Sequence, residues 1–201
     1  MVNTEQQRTQ SSCENKLVDT AFADVTELVR IFNNLFITLE GTELVVGADE
    51  PLYLPASETG GLCQVISRFD YFSSALHEIS HWCIAGKERR KLIDFGYWYE
   101  PDGRSDQQQR EFEKVEIKPQ ALEWIMTEAC GMRFRLSVDN IAQPDVGASK
   151  EFICEVAQQA ADYIENGLPE RANLFVQALL SHYRPDCRCL ESDAFSLDRL
   201  S

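Results

Sequence analysis

Two histidines separated by three residues are the feature of this sequence best suited to chemistry. Residues 77–81 read His-Glu-Ile-Ser-His, and the chain contains 3 histidines in all. Side chains at positions i and i+4 of an α-helix project from the same face, about 6 Å apart, so both imidazoles can reach one metal ion. The spacing therefore predicts a metal site that uses His77 and His81 as ligands.

The neighbouring residues predict the helix that such a pair requires. Apolar side chains recur at helical spacing along one stripe, at Phe72, Leu76, Ile79 and Cys83. The two histidines lie nearly opposite this stripe, among small or uncharged residues that leave room for a cleft. Asp70 is a suitable N-cap, and Gly86 suits the position just beyond a helix end. We expect a helix over about residues 70–85.

A metal ion held by two histidines needs a third protein ligand. The sixth residue after His81 is Lys87, so no histidine or aspartate follows the motif at the close spacing that some metalloenzymes use. His182 is the remaining histidine and lies far along the chain. We therefore expect a distant carboxylate. Two histidines and one carboxylate suit catalytic zinc and, equally, non-haem Fe(II).

Three glutamates in the stretch 112–124 are candidates for that carboxylate: Glu113, Glu116 and Glu123. Pro119 suits the first turn of a helix, which we expect to run to about residue 136. On this helix Glu123 points away from the apolar stripe, and Glu116 extrapolates to nearly the same face. Periodicity therefore does not choose between these two glutamates.

Glu78, between the two histidines, separates two classes of enzyme. In a zinc hydrolase with this motif, the glutamate is the general base that activates a metal-bound water. An enzyme that uses redox iron needs no such base. Both readings remain open from the motif alone.

Residues 94–104 combine aromatic and acidic side chains. In a strand, Asp94, Trp98 and Glu100 share one face and the other aromatic residues share the opposite one. Such a face can hold an ammonium group by ion-pair and cation–π contacts. The alternative, which the pattern alone favours, is the ordinary packing of a half-buried strand.

The charge balance excludes one class of partner and suits another. The chain has 201 residues, with 19 Lys and Arg against 33 Asp and Glu, a net charge of −14. Such a surface is unsuited to neutralising nucleic-acid phosphates. It suits a basic or amine-bearing partner, although solubility alone also explains it.

The sequence shows no targeting or membrane signal. The polar start lacks the pattern of a signal peptide, and no apolar run approaches the roughly 18 residues of a membrane span. The 7 cysteines form an odd set in a chain that is not small. Free thiols in a reducing cytoplasm are the simplest explanation.

Along the chain we expect a disordered lead over residues 1–14, a single α+β catalytic domain over 15–184 and an irregular tail over 185–201. A small sheet should pack against helices around the histidine-bearing helix, and the C-terminal half should be helical. The predicted strands are 42–48, 52–54, 62–69 and 92–99. The other predicted helices are 15–35, 106–116, about 119–136, 149–165 and 169–183.

Several long segments closely resemble the bacterial elongation factor P hydroxylases. These are DEPLYLPA (49–56), SALHEISHWCIAGKERRKLIDFGYWYEPDGR (74–104), FEKVEIKPQALEW (112–124) and NGLPERANLFVQAL (166–179). The resemblance runs from about residue 45 to 182 and is far more specific than the histidine motif alone. It does not extend to the tail from Pro185.

The resemblance implies a cytoplasmic, iron-dependent monooxygenase with O₂ as co-substrate. Its substrate would be elongation factor P, at the lysine already extended by a β-lysyl group. It implies His77, His81 and Glu116 as the metal ligands, with Glu116 chosen through the matching segment. A substrate side chain with two amines would suit Asp94, Trp98 and Glu100 as binding residues. No nucleic acid or membrane would take part.

Overall fold

A computed structural model describes residues 18–20, 23–94, 105–137 and 148–200. It confirms a mixed α+β architecture in which helices dominate. The strands are β1 (Val18–Asp19), β2 (Thr42–Ala48), β3 (Leu52–Leu54), β4 (Cys63–Arg68) and β5 (Met132–Arg133). The helices are α1 (Val25–Glu40), α2 (Ala56–Thr59), α3 (Phe72–Ile84), α4 (Asp106–Ala129), α5 (Lys150–Asn166) and α6 (Glu170–Tyr183).

The main sheet has three strands in the order β2-β4-β3. β4 lies in the middle, parallel to β2 and antiparallel to β3. Leu44 and Val65 are paired across β2 and β4, and both are buried. The apolar face that they share packs against α1 and α3, so the histidine-bearing helix rests on the sheet. β1 and β5 form a separate parallel pair.

The strand predictions at 42–48 and 52–54 are confirmed, and β4 lies within the predicted 62–69. The predicted first helix is present, but its predicted bounds of 15–35 are wrong: α1 begins at Val25 and ends at Glu40. The Asp24 side chain accepts a hydrogen bond from the Thr26 amide at 2.8 Å and so caps the start. Gly41 ends the helix with φ of 59°, a conformation that glycine adopts without steric cost.

The prediction of two helices around Pro119 is also wrong, because α4 runs unbroken through it. Ser105 and Gln108 form a capping box that starts the helix. An internal proline removes one hydrogen bond and costs about 3 kcal/mol. Burial of side chains on both sides of it, from Glu113 to Ala129, outweighs that cost. The helix ends at Ala129 rather than near residue 136, since Gly131 turns the chain with φ of 69°.

The core lies between the sheet and the helices α1, α3, α4, α5 and α6. Phe32, Phe36 and Trp82 form edge-on or tilted ring contacts at its centre. In the tail, two short 3-10 turns span Ser192–Phe195 and Leu197–Arg199. Phe195 is buried against the Trp124 ring. The division into lead, domain and tail stays a prediction. No helix in the described ranges has the length and apolar character needed to cross a membrane.

Candidate metal centre

Helix α3 carries both histidines of the motif on its more exposed side. The rings of His77 and His81 meet edge-on, with their centroids 4.7 Å apart and their Nε2 atoms 3.1 Å apart. The predicted apolar stripe is buried, as expected. The predicted end residues are wrong, because Tyr71 precedes the first turn and Ala85, in an extended conformation, follows the last. Neither Asp70 nor Gly86 therefore caps this helix.

Helix α4 brings Glu116 to the two imidazoles from the opposite side. Its Oε1 lies 3.2 Å from His81 Nε2, and its Oε2 lies 3.5 Å from His77 Nε2. One ligand atom from each of the three residues lies within 4.8 Å of the other two. Glu116 is buried at the α3–α4 interface, at 3% exposure. The fold thus joins residues 39 positions apart in sequence, as the resemblance implied.

The donor atoms of this cluster fit a metal ion. Glu116 Oε2 is buried and makes no hydrogen bond within the part of the chain that the structure describes. An unpartnered buried carboxylate oxygen is costly, and a cation would satisfy it. Two imidazole nitrogens and a carboxylate suit zinc, iron and related divalent ions. The cluster could therefore hold a metal.

Glu123, the competing candidate, contacts the same histidine at its other nitrogen. Its Oε2 lies 2.9 Å from His77 Nδ1. Nδ1–H donates a hydrogen bond to this carboxylate, which leaves Nε2 as the ring nitrogen available to a metal ion. Glu116 and Glu123 do share one face of α4, as predicted from periodicity. Their roles differ: Glu116 belongs to the donor cluster, and Glu123 orients His77.

Glu113 does not join the cluster. Its carboxylate accepts hydrogen bonds from the backbone amide and the hydroxyl of Ser149, at 3.4 and 2.8 Å. Ser149 is the N-cap of α5, so Glu113 stabilises the start of that helix. The side chain is buried for this structural reason.

A buried polar row along α4 is a signal that the sequence reasoning did not use. The row follows alternating spacings of three and four residues: Glu113, Glu116, Gln120, Glu123 and Thr127. Polar side chains at that spacing beside an apolar stripe indicate a helix that is buried on two sides. Gln120 exchanges two hydrogen bonds with the backbone of Ser137. Every member of the row thus has a partner within the fold.

Burial, hydrogen bonds and nearby charges shift the pKa values of the residues in and beside the cluster. Burial acts to raise the pKa of Glu116, but the hydrogen bond to His81 and the charges of both histidines outweigh it and lower the pKa to about 2. Burial acts to lower the pKa of His77, yet its bond to Glu123 and the charge of Glu116 raise it to about 10. Burial also raises the pKa of Glu78.

A cavity of about 250 Å³ adjoins the cluster at His81. Glu78 and Asp94 line it together with His81, so three of the predicted site residues face one space. Asp94 also forms an antiparallel bridge with Tyr53 and an ion pair with Arg89 at 2.6 Å. Of the strand predicted over 92–99, the described residues 92–94 form only the isolated bridge at Asp94, and Trp98 and Glu100 lie outside the described residues.

Arg171, at the start of α6, holds the C-terminal end of the histidine helix. Its Nη2 donates to the carbonyl oxygens of Trp82, Cys83 and Ala85 at 2.8, 3.1 and 2.6 Å. A guanidinium suits this position because it satisfies unpaired carbonyls and opposes the negative end of the helix dipole. Sequence patterns gave no sign of this residue, since the partner carbonyls belong to another helix.

Fold and site together define an α+β protein with a two-histidine, one-carboxylate cluster of the kind found in metalloenzymes. The chain belongs to the elongation factor P hydroxylase family, whose pattern it matches over residues 31–195. It is also similar to the elongation factor P lysine hydroxylase of Haemophilus influenzae. The two are 50% identical over 157 residues, which cover 78% of this chain and 88% of that protein. The family match extends beyond the resemblance over about 45–182 at both ends.

Proposed function

We propose that this protein hydroxylates a lysine of elongation factor P, at the side chain already extended by a β-lysyl group. The convergence of His77, His81 and Glu116 in a member of this family is the observation that supports the proposal. The acidic surface, with a net charge of −14, favours a substrate that carries amines. The reaction would take place in the cytoplasm.

The metal would be Fe(II), held by His77 Nε2, His81 Nε2 and one oxygen of Glu116. Bound iron supplies the redox chemistry with O₂ that an unactivated C–H bond requires, and zinc lacks such chemistry. One oxygen atom enters the C–H bond as a hydroxyl group. The other leaves as water, which takes two electrons from an external reductant and two protons.

The other residues of the protein would position the metal ligands and shield the site from bulk water. Glu123 holds the His77 ring through Nδ1, so that ring cannot rotate away from the cluster. Ser80 anchors the same stretch of α3 by donating to the Leu76 carbonyl at 2.8 Å. The burial of Glu116 keeps bulk water from one side of the site.

The approach to the cavity would be formed in part by the predicted acidic and aromatic strand. Asp94 lines the cavity and is tied to Arg89, so it sets the charge at that wall. We propose that Trp98 and Glu100, which continue the same segment, contact the substrate amines. The pairing of Tyr53 with Asp94 places the start of this segment beside the main sheet.

Mass spectrometry tests the function directly. The protein loaded with Fe(II) is incubated with O₂, a chemical reductant and β-lysylated elongation factor P. We expect the modified lysine to gain one oxygen atom, and labelled O₂ rather than labelled water to be its source. Protein loaded with zinc and the His77→Ala variant are the controls. No gain in mass with the iron form would contradict the proposal.

A further inference from the structure

The cavity beside the metal cluster has the size of a single side chain. Its volume of about 250 Å³ is at or below the lower end of small-molecule pockets, which start at roughly 300 Å³. The apolar part of its wall comes from the sheet, from the end of α3 and from α4, through Leu52, Val65, Ile84 and Val115. An extended alkyl chain would pack against this wall. His81 belongs to both the cavity and the cluster, so the cavity borders the cluster.

The positive charges around the cavity already have partners. Arg89 pairs with Asp94 at 2.6 Å, and Arg90 pairs with Glu40 at 2.8 Å. Arg90 is also fixed by its place in the 3-10 turn Arg89–Lys91 and is only 17% exposed. These pairs neutralise the two arginines of the lining. They also occupy Asp94, the other carboxylate of the lining.

Glu78 differs from the other charged residues of the lining. Its side chain is half-buried and faces the cavity, yet within the described ranges it accepts no hydrogen bond and forms no carboxylate–cation pair. A half-buried carboxylate has lost part of its contact with water, so an ammonium group that enters the cavity can form a charge-assisted hydrogen bond with it. Glu78 is three residues before His81, and side chains at that spacing are neighbours on a helix. A cation held by Glu78 would therefore lie close to the metal cluster.

We propose that Glu78 binds an ammonium group of the extended lysine side chain and so determines which side chains enter the cavity. This inference rests on the proposed function, since it assigns a substrate contact within the same site. It gives Glu78 a role that differs from the general base of a zinc hydrolase. The carboxylate holds the substrate and takes no proton from water.

Binding to the metal-free protein tests the contact without any turnover. The dissociation constant for β-lysylated elongation factor P is measured for the wild type, Glu78→Gln and Glu165→Gln. Glu165 is exposed on α5 and is a charge-matched control. We expect Glu78→Gln to weaken binding about tenfold or more, equivalent to about 1.4 kcal/mol, and Glu165→Gln to leave it unchanged. Glu78→Asp, which keeps the carboxylate, should recover part of the affinity.

The substrate offers the second half of the experiment. Acetylation of its amines removes their charge, so acetylated substrate should bind the wild type and Glu78→Gln about equally weakly. In turnover, Glu78→Gln should raise KM about tenfold and leave kcat and iron content nearly unchanged. Equal affinities of wild type and Glu78→Gln for the charged substrate would overturn the inference. So would a collapse of kcat at unchanged KM, or loss of iron.

The two proposals fail in different ways. If the wild type does not hydroxylate the protein substrate, the proposed function is wrong, and the binding data still show whether Glu78 reads an amine. If the wild type is active and Glu78→Gln matches it in affinity and KM, only the role of Glu78 is wrong.

Discussion

Helices α3 and α4 each give side chains to the metal cluster, but they do so in different ways. α3 supplies two histidines from one short motif, with Ile79 and Ser80 between them buried on the core side. α4 supplies Glu116 and Glu123 from a longer row of polar residues that is buried along the α3–α4 interface. Because histidine is rare in this chain, two histidines at this spacing indicate a metal site by themselves. A glutamate in an acidic chain gains a role only from what it contacts.

Removal of a histidine should have the largest effect. We expect His77→Ala or His81→Ala to lose the metal and to reduce turnover below detection, because only two protein ligands remain. Iron content by elemental analysis and a helical circular dichroism spectrum like that of the wild type check this result. A variant that keeps both iron and turnover would show that α3 does not form the site.

The glutamates of α4 should separate into three classes. Glu116→Ala should lose the metal. Glu123→Ala should weaken metal binding by about 10–100-fold, because the His77 ring loses the carboxylate that orients it. Glu113→Ala should keep the metal and instead lower the free energy of unfolding by about 1–3 kcal/mol, since Ser149 loses its partner.

Metal titration and chemical denaturation, carried out on all three variants, check this order. Loss of the metal in Glu123→Ala alone would move the carboxylate ligand by two turns along α4. Loss in Glu113→Ala would show that the packing of α5, rather than direct ligation, controls the site.

Arg171 tests how α3 is held in place from outside. Arg171→Ala should lower the free energy of unfolding by about 2–3 kcal/mol, since three carbonyls at the end of α3 lose a charged donor. Arg188→Ala, at an exposed position, is the control and should change it little. Denaturant titration measures both. Equal stabilities would show that solvent satisfies those carbonyls as well as the guanidinium does.

The smallest effects should come from the substrate approach, away from both helices. Asp94→Asn removes a partner of Arg89 and leaves positive charge facing a cationic substrate. We expect KM to rise several-fold at constant iron content, and Glu100→Lys to act in the same direction. The effect should shrink at high salt, where the Debye length falls below about 8 Å and more distant charges are screened. Unchanged KM in both variants would indicate a strand that serves packing alone.

The sequence predicted local features well where one residue type decides them. The apolar runs of β2 and β4 follow Gly41 and the pair Gly60-Gly61, and the structure places the strands there. The motif predicted a helix over α3, although its N-cap position was wrong by one residue. These features depend on neighbours within a few positions.

Features that depend on distant contacts were not predictable. Pro119 marks a helix start in isolation, but here the packing of α4 on both sides carries the helix through it. Glu113 and Glu123 are the same residue type in one segment of the sequence. Only their distant partners, Ser149 for Glu113 and His77 for Glu123, distinguish their roles. Arg90 resembles part of a solvated basic turn, yet it is mostly buried and paired with Glu40. For Glu113, Glu123 and Arg90 the deciding partner is at least 36 residues away.

The carboxylate of Glu40 connects three parts of the molecule that are distant from one another along the chain. It ends α1, pairs with Arg90 in the cavity wall at 2.8 Å and lies 3.8 Å from Arg171, which holds the end of α3. Separation of Arg90 from Glu40 would therefore also disturb the carboxylate that approaches Arg171. We expect the cavity wall, the end of α1 and the end of α3 to open together in native-state hydrogen exchange.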